Sequence, residues 1–161
     1  MADGARIEIP DSVECSIERA VTVLGERWTP LILRELHAGF TRFADVQERL
    51  GIATNLLTTR LSTLVDAEVV RRVPYQSPGS RTRYQYELTE SGAAALVVLG
   101  ALQQWGDLYV PRTAGPSFVR RSAKTGQPLD VGFTDSSGHA VPLEEVRFVP
   151  ARSDSAPPGS P

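Results

Sequence analysis

The stretch that most narrows what this chain can fold into runs from Phe43 to Ala67. Phe43, Val46 and Leu50 fall three and four residues apart, so they share one face of a helix. Gly51 follows, a residue free to take a positive φ where that helix must stop. A second apolar stripe then opens with Leu57, Leu61, Leu64 and Val65. Two short amphipathic helices about a Gly-bearing turn describe a helix-turn-helix. The side of the second helix away from the stripe carries Thr54, Asn55, Thr58 and Thr59 and is polar.

The second helix of such a motif commonly enters a DNA major groove, and the charge distribution bears on that expectation. The whole chain has a formal net charge of −2, which by itself argues against a polyanionic partner. Between Arg42 and Tyr86, however, Arg42, Arg49, Arg60, Arg71, Arg72, Arg81 and Arg83 outnumber Asp45, Glu48, Asp66 and Glu68. Screening confines each charge to a reach of about 8–10 Å, so local charge decides the attraction to phosphate. A basic centre in an otherwise acidic chain fits a DNA-facing surface. A solvated charged face would look similar.

Other chemistries find little support. Cys15 is the single cysteine, which excludes an intramolecular disulfide and a cysteine-rich zinc site. His37 and His139 stand far apart and cannot complete a tetrahedral metal site with it. No Ser/His/Asp constellation, Gly-rich phosphate loop or paired-carboxylate spacing stands out, so neither a cofactor nor a catalytic role is expected. No apolar run approaches the roughly 18 residues that cross a bilayer. The opening Met-Ala-Asp-Gly-Ala-Arg has neither the basic region nor the apolar core of a signal peptide, so a cytoplasmic location is expected, with no membrane partner.

Taken in order, residues 1–10 read as an N-terminal arm. Asp11-Ser-Val-Glu14 resembles a capping box for a first helix carrying Ile17, Ala20, Val21 and Leu24 and ending near Gly25. Thr29 as N-cap with Pro30 after it predicts a second helix, Leu31 to Gly39, apolar and buried, with Arg34, Glu35 and His37 at its margins. Beyond the helix-turn-helix, the β-branched run Val69 to Val73 reads as a strand, Gln76 to Ser80 as a loop, and Arg83 to Leu88 as the return strand. Strand, Arg-bearing loop and strand in this place make a wing, with its tip at 75–83. A long helix from Thr89 or Ser91 to about Tyr109 carries Leu96, Leu99, Leu102 and Trp105. That is more apolar surface than one small domain can bury, which favours a symmetric dimer. The fold class expected is mainly α with a small β-wing, an α+β winged helix-turn-helix over 11–110. A β-rich extension, a short hairpin, follows over 111–149, and a disordered Pro-, Ser- and Gly-rich tail over 150–161.

With these motifs placed, the chain from Cys15 to about Tyr109 resembles the HxlR-type winged helix-turn-helix regulators, relatives of the MarR-like repressors. The resemblance is carried by Cys15-Ser-Ile-Glu-Arg-Ala, Gly25-Glu-Arg-Trp28-Thr, Leu31-Ile-Leu-Arg-Glu-Leu36, Arg42-Phe43 and Gly51-Ile52. Leu57-x-x-Arg60-Leu61, Tyr84-x-Tyr86-x-Leu-Thr89 and Trp105-Gly106 complete it. It implies a dimeric bacterial transcription factor, a repressor on double-stranded operator DNA with two half-sites. It also implies that Cys15 stands where some members sense electrophiles or oxidants. One position departs from the pattern. Members usually carry Ser where Ala53 stands, and losing that N-cap costs on the order of 1 kcal/mol. Thr54 is the candidate to cap one residue later.

The candidate DNA contacts follow. Thr54, Asn55, Thr58 and Thr59 line the polar side of recognition helix 54–67; Asn pairs bidentately with adenine, and Thr reaches bases, phosphates or thymine methyls. Arg60 is a phosphate contact or a brace for neighbouring acids. Arg81 and Arg83 flank the wing tip, where a guanidinium reaches phosphate or a minor groove. At most one of Arg71 and Arg72, on alternate sides of a strand, faces the duplex. Arg42 opens the first helix of the motif and meets the DNA backbone or pairs with Asp45. Cys15, at or near a helix N-terminus, is a candidate redox sensor, against the commoner fate of a buried inert thiol. Trp28 and Trp105 are expected as core and interface anchors, and a small-molecule effector would sit in their neighbourhood. The competing functional class is a winged-helix assembly or ligand-binding module without DNA binding, favoured only by the net acidity and by Ala53.

Overall fold

A computed structural model of the chain describes residues 9–10, 12–76 and 82–150. They divide into two compact units, the first ending at Phe118 and the second beginning at Val119. Among the described residues, no helix is long and apolar enough to cross a membrane. The expected arm up to residue 8, Asp11, the wing tip at 77–81 and the tail from 151 lie outside the described residues; the first helix starts at Ser16 with Cys15 as its N-cap, and not Asp11 as the capping-box spacing predicts.

The first unit begins with helices α1 (Ser16–Leu24), α2 (Trp28–His37), α3 (Phe43–Leu50) and α4 (Thr54–Asp66). The α3–turn–α4 motif forms as the spacing predicts. Gly51 ends α3 at φ 61°, the left-handed conformation that only a residue without a Cβ takes without strain. The core sits where α2, α3 and α4 meet: Ile32, Leu33, Leu36, Val46, Ile52, Leu57, Leu61 and Leu64 are all buried. Each such Leu or Ile contributes about 1.5–3 kcal/mol by leaving water. Phe43, Leu50 and Val65 pack at the edge of this cluster, half-buried.

Strands β1 (Val70–Tyr75) and β2 (Arg83–Leu88) then form an antiparallel ribbon, in register from Val70 against Leu88 to Tyr75 against Arg83. The first strand runs past the β-branched segment and through Pro74. A two-stranded ribbon has an open edge, where the missing proline N–H leaves no ladder bond unmade. On the other side of β2, Thr41 accepts from the Tyr86 amide at 2.8 Å and Arg42 bridges Gln85, tying the start of α3 to the wing.

Three further helical expectations need correction. The second helix starts at Trp28 with Arg27 at its N-cap; Thr29 lies inside the first turn, buried in the core, because the chain is already helical at Arg27. Glu35 is not marginal but 2% exposed, since it falls on the same face as Ile32 and Leu36. The long C-terminal helix is two pieces, α5 (Glu90–Ala94) and α6 (Leu96–Tyr109), parted only at Ala95, where ψ opens to −14°. Backbone bonds still pass through the joint, from the Ala95 amide to Ser91 and from the Leu99 amide to Ala95. Thr89 caps α5 by accepting from the Gly92 amide, and a Cβ on Gly92 would come within 2.1 Å of the Val69 carbonyl oxygen. This close approach locks the helix start onto the strand.

The second unit does contain a hairpin, though a minimal one: β3 (Phe133–Thr134) pairs with β4 (Ala140–Val141) across a turn at Gly138. The expected strand from Val141 to Val149 is interrupted by a 3₁₀ turn over Leu143–Glu145, which starts after Pro142. Proline suits the entry to a helical turn and cannot donate to a ladder.

Candidate nucleic-acid interface

Helix α4 has two unlike faces. Leu57, Leu61 and Leu64 are each 0% exposed, whereas Thr54, Asn55, Thr58 and Thr59 are exposed, as is Ser62 one turn beyond Thr58. The side chains of Thr58 and Thr59 are held against the helix: their hydroxyls donate to the carbonyls of Thr54 at 2.8 Å and Asn55 at 3.0 Å. Thr63 does the same to Thr59 at 3.0 Å.

Ala53 occupies the N-cap with extended backbone and no side-chain acceptor. Thr54 does not take over the cap, because it already lies inside the helix as its first residue. Its hydroxyl instead accepts from the Gln47 side-chain amide at 2.7 Å, and the same amide nitrogen lies 3.4 Å from the Ile52 carbonyl. Gln47, on α3, thus braces the turn that positions α4. Sequence reasoning passed over it because the bond spans two helices.

The arginines sort by what they touch. Arg60 turns inward, with its guanidinium 3.3 Å from Glu26 and its Nε buried without a hydrogen-bond partner. Bracing an acid, rather than standing free for phosphate, is the role its geometry serves. Arg42 is exposed at the N-cap of α3 and lies over the Tyr75 ring at 5.1 Å, at the loop end of β1. Arg83 opens β2 and is exposed; Arg81 lies outside the described residues. Arg71 pairs with Glu87 at 2.7 Å, and Arg72 stacks over Tyr84 at 3.5 Å. The Arg71 hydrogen bond holds the Glu87 carboxyl below its ordinary value against the opposing effect of burial.

Behind this surface, Glu35 receives hydrogen bonds from Arg34 Nε at 2.9 Å and from Arg49 Nε. Burial alone would raise its pKa; the bonds and charges of Arg49 and Arg34 outweigh that and hold it below the ordinary 4.5. The two guanidiniums stack outward on aromatic rings, Arg49 on Phe40 at 3.7 Å and Arg34 on Phe118 at 5.3 Å. The triad ties α2 to the C-terminal end of α3, just ahead of the turn into α4.

A second surface is apolar. Helix α1 buries no residue: Ile17 is 61% exposed and Val21 is exposed beside it. On α6, Leu96, Leu102, Leu108 and Tyr109 are exposed, and Trp105 is 59% exposed, so Trp105 is no core residue of the single chain. Trp28 is half-buried against the core. Cys15 is the N-cap of α1 and exposed, not the buried thiol that is the usual fate of a lone cysteine. Between α1, α2 and α6, the gap lined by Leu24, Leu33, Leu99 and Leu102 measures about 20 Å³. That holds about one water.

A three-helix core, a recognition helix with one polar exposed face and a two-stranded wing define a winged helix-turn-helix of the kind found in transcriptional regulators. Residues 23–114 match the HxlR-like helix-turn-helix family, and the chain belongs to it. An uncharacterised HTH-type transcriptional regulator of Mycobacterium tuberculosis is 42% identical over 115 residues, covering 71% of this chain and 72% of the relative. The crystal structure of PA1607, provisionally assigned as a transcription factor, superposes with a TM-score of 0.74 at 33% identity over 85% of this chain and 95% of its own. That share exceeds the first unit, so the likeness extends into the second. The transcriptional regulator YodB of Bacillus subtilis, in its reduced form, aligns with a TM-score of 0.52 at 33% identity over 59% of this chain and 93% of its own. It has also been solved after diamide treatment.

Proposed function

We propose that the chain represses transcription as a homodimer on operator DNA. The α4 helices of two copies would enter successive major grooves about 34 Å apart, with the wings alongside. The observation that carries this reading is the division of α4 into a fully buried leucine face and an exposed face of Thr54, Asn55, Thr58 and Thr59. Arg42, Arg83 and Arg81 would add phosphate contacts; Arg60, engaged with Glu26, would not. The apolar surface of α1 and α6 supports pairing of two copies, because apolar side chains so exposed on adjacent helices favour association. The reading assigns the chain no reaction of its own.

A gel shift on the DNA upstream of the chain's own gene tests it. Specific binding is expected, weakening steeply with salt as phosphate contacts release counterions. Asn55→Ala combined with Arg81→Ala should abolish the preference for that DNA. No shift at low salt would favour a winged-helix assembly module instead.

A second reading rests on the exposure of Cys15 at the head of α1, the helix with no residue buried in the single chain. Addition of the thiolate to an electrophile would place a bulky group beside the proposed pairing surface. Operator release on treatment with a quinone should disappear in Cys15→Ser. A mutant that still responds makes the thiol structural.

A further inference from the structure

Whether a hydroxyl offers a partner its proton or its lone pairs depends on where that proton is already committed. Along the outer face of α4 the internal bonds decide this for three threonines. Thr58 and Thr59 give their protons to the carbonyls of Thr54 and Asn55, which can only accept. What they turn outward is lone pairs and a γ-methyl. Thr54 is the opposite case. Its oxygen accepts from Gln47 Nε2, and that nitrogen is the amide's donor because it also faces the Ile52 carbonyl. The Thr54 proton is left to point outward. The exposed face therefore carries a fixed polarity: a donor at Thr54, an amide at Asn55, and acceptors with methyls at Thr58 and Thr59.

This pattern is selective in a major groove. Only adenine N6 and cytosine N4 donate there, and only thymine adds a methyl group. An A·T pair presents the amine and the methyl together, matching both parts of an acceptor-plus-methyl threonine. Guanine presents two acceptors, N7 and O6, which lone pairs repel and which Arg or Lys usually reads. The one cation within α4 is Arg60, and its guanidinium is turned to Glu26. Resting on the reading of α4 as the helix that enters the groove, we infer that Thr58 and Thr59 select A·T pairs at the core of each half-site. Gln47 acts as a positioning residue that fixes Thr54 as a donor to a purine N7 or another groove acceptor.

The test is selection from a randomised duplex library with the full chain, followed by atom-level changes in the selected duplex. A·T pairs are expected at the positions that Thr58→Val and Thr59→Val affect. Replacing adenine there by deoxynebularine, which lacks the N6 amine, should weaken wild-type binding about tenfold. The double valine variant keeps shape and methyls but loses the acceptors. It should bind the unmodified duplex about tenfold more weakly and ignore the adenine replacement. Uracil for thymine should affect both proteins alike. Gln47→Leu should relax the preference at the base facing Thr54 and leave the A·T positions intact; an unrelaxed preference overturns the role of Gln47. Enrichment of G·C at the threonine positions, or an equal nebularine penalty in both proteins, overturns the assignment of Thr58 and Thr59 while leaving DNA binding in place. Enrichment of no sequence at low salt removes the DNA-binding reading itself, and this inference with it.

Discussion

Helices α4 and α6 are nearly the same length, 13 and 14 residues, yet they solve the burial problem in opposite ways. On α4 most of the apolar residues share one stripe, and three leucines on that stripe are completely buried. On α6 the apolar residues nearly encircle the helix, and the only one of its residues that is buried is Gly100. A helix with one apolar stripe finishes its packing within its own chain and leaves its other face free for a partner of different chemistry. A helix apolar all round has to be covered on more than one side, and a single chain supplies only one. The difference separates the two proposed partners: DNA at the polar face of α4, a second copy at α6.

The comparison breaks most plainly at the core. Leu61→Ala is expected to cost about 2–5 kcal/mol, because a cavity opens beneath the recognition helix. Urea denaturation at fixed protein concentration measures it; a cost below about 1 kcal/mol would mean α4 is less firmly packed than its burial indicates. Next in size is Leu102→Glu combined with Trp105→Glu on α6. It should raise the dimer dissociation constant at least about 100-fold in sedimentation equilibrium, with helix content retained. Unchanged association would place the pairing surface elsewhere.

Glu35 comes third, and it sharpens how α3 and α4 are held. Its folded pKa is depressed, so its contribution is complete at neutral pH and is lost as pH falls below 4.5 and through the folded value. Glu35→Gln should cost about 1–3 kcal/mol at pH 7 and flatten the acid limb of a stability–pH profile. An acid limb identical to wild type would assign that limb to other carboxylates. The smallest effect is a gain. Ala53→Ser should stabilise the chain by about 0.5–1 kcal/mol by restoring an acceptor at the head of α4. No gain would indicate that Gln47 and Thr54 already compensate for the missing cap.

Much of this molecule was legible from residue spacing. The stripe Leu57, Leu61, Leu64, the stop at Gly51 and the alternation in Arg83 to Leu88 each reflect a local rule: a helical period, a positive φ, a pleat. Local rules also found the polar row on α4. They missed what depends on distant partners. Glu35 looked marginal because its charge placed it outward; hydrogen bonds from Arg34 and from Arg49, fourteen residues away, make its burial tolerable. Thr29 and Pro30 looked like a helix start, yet the helix had already begun at Trp28. Arg60 remained ambiguous until Glu26 was found beside it.

The sequence by itself thus determined the elements, their order and which faces are apolar, since those follow from interactions within a few residues. The tertiary structure alone decided the chemistry that the exposed face offers. A threonine reads the same in any sequence. Whether it gives or accepts a hydrogen bond was settled by where its neighbours' carbonyls and the Gln47 amide fell in space.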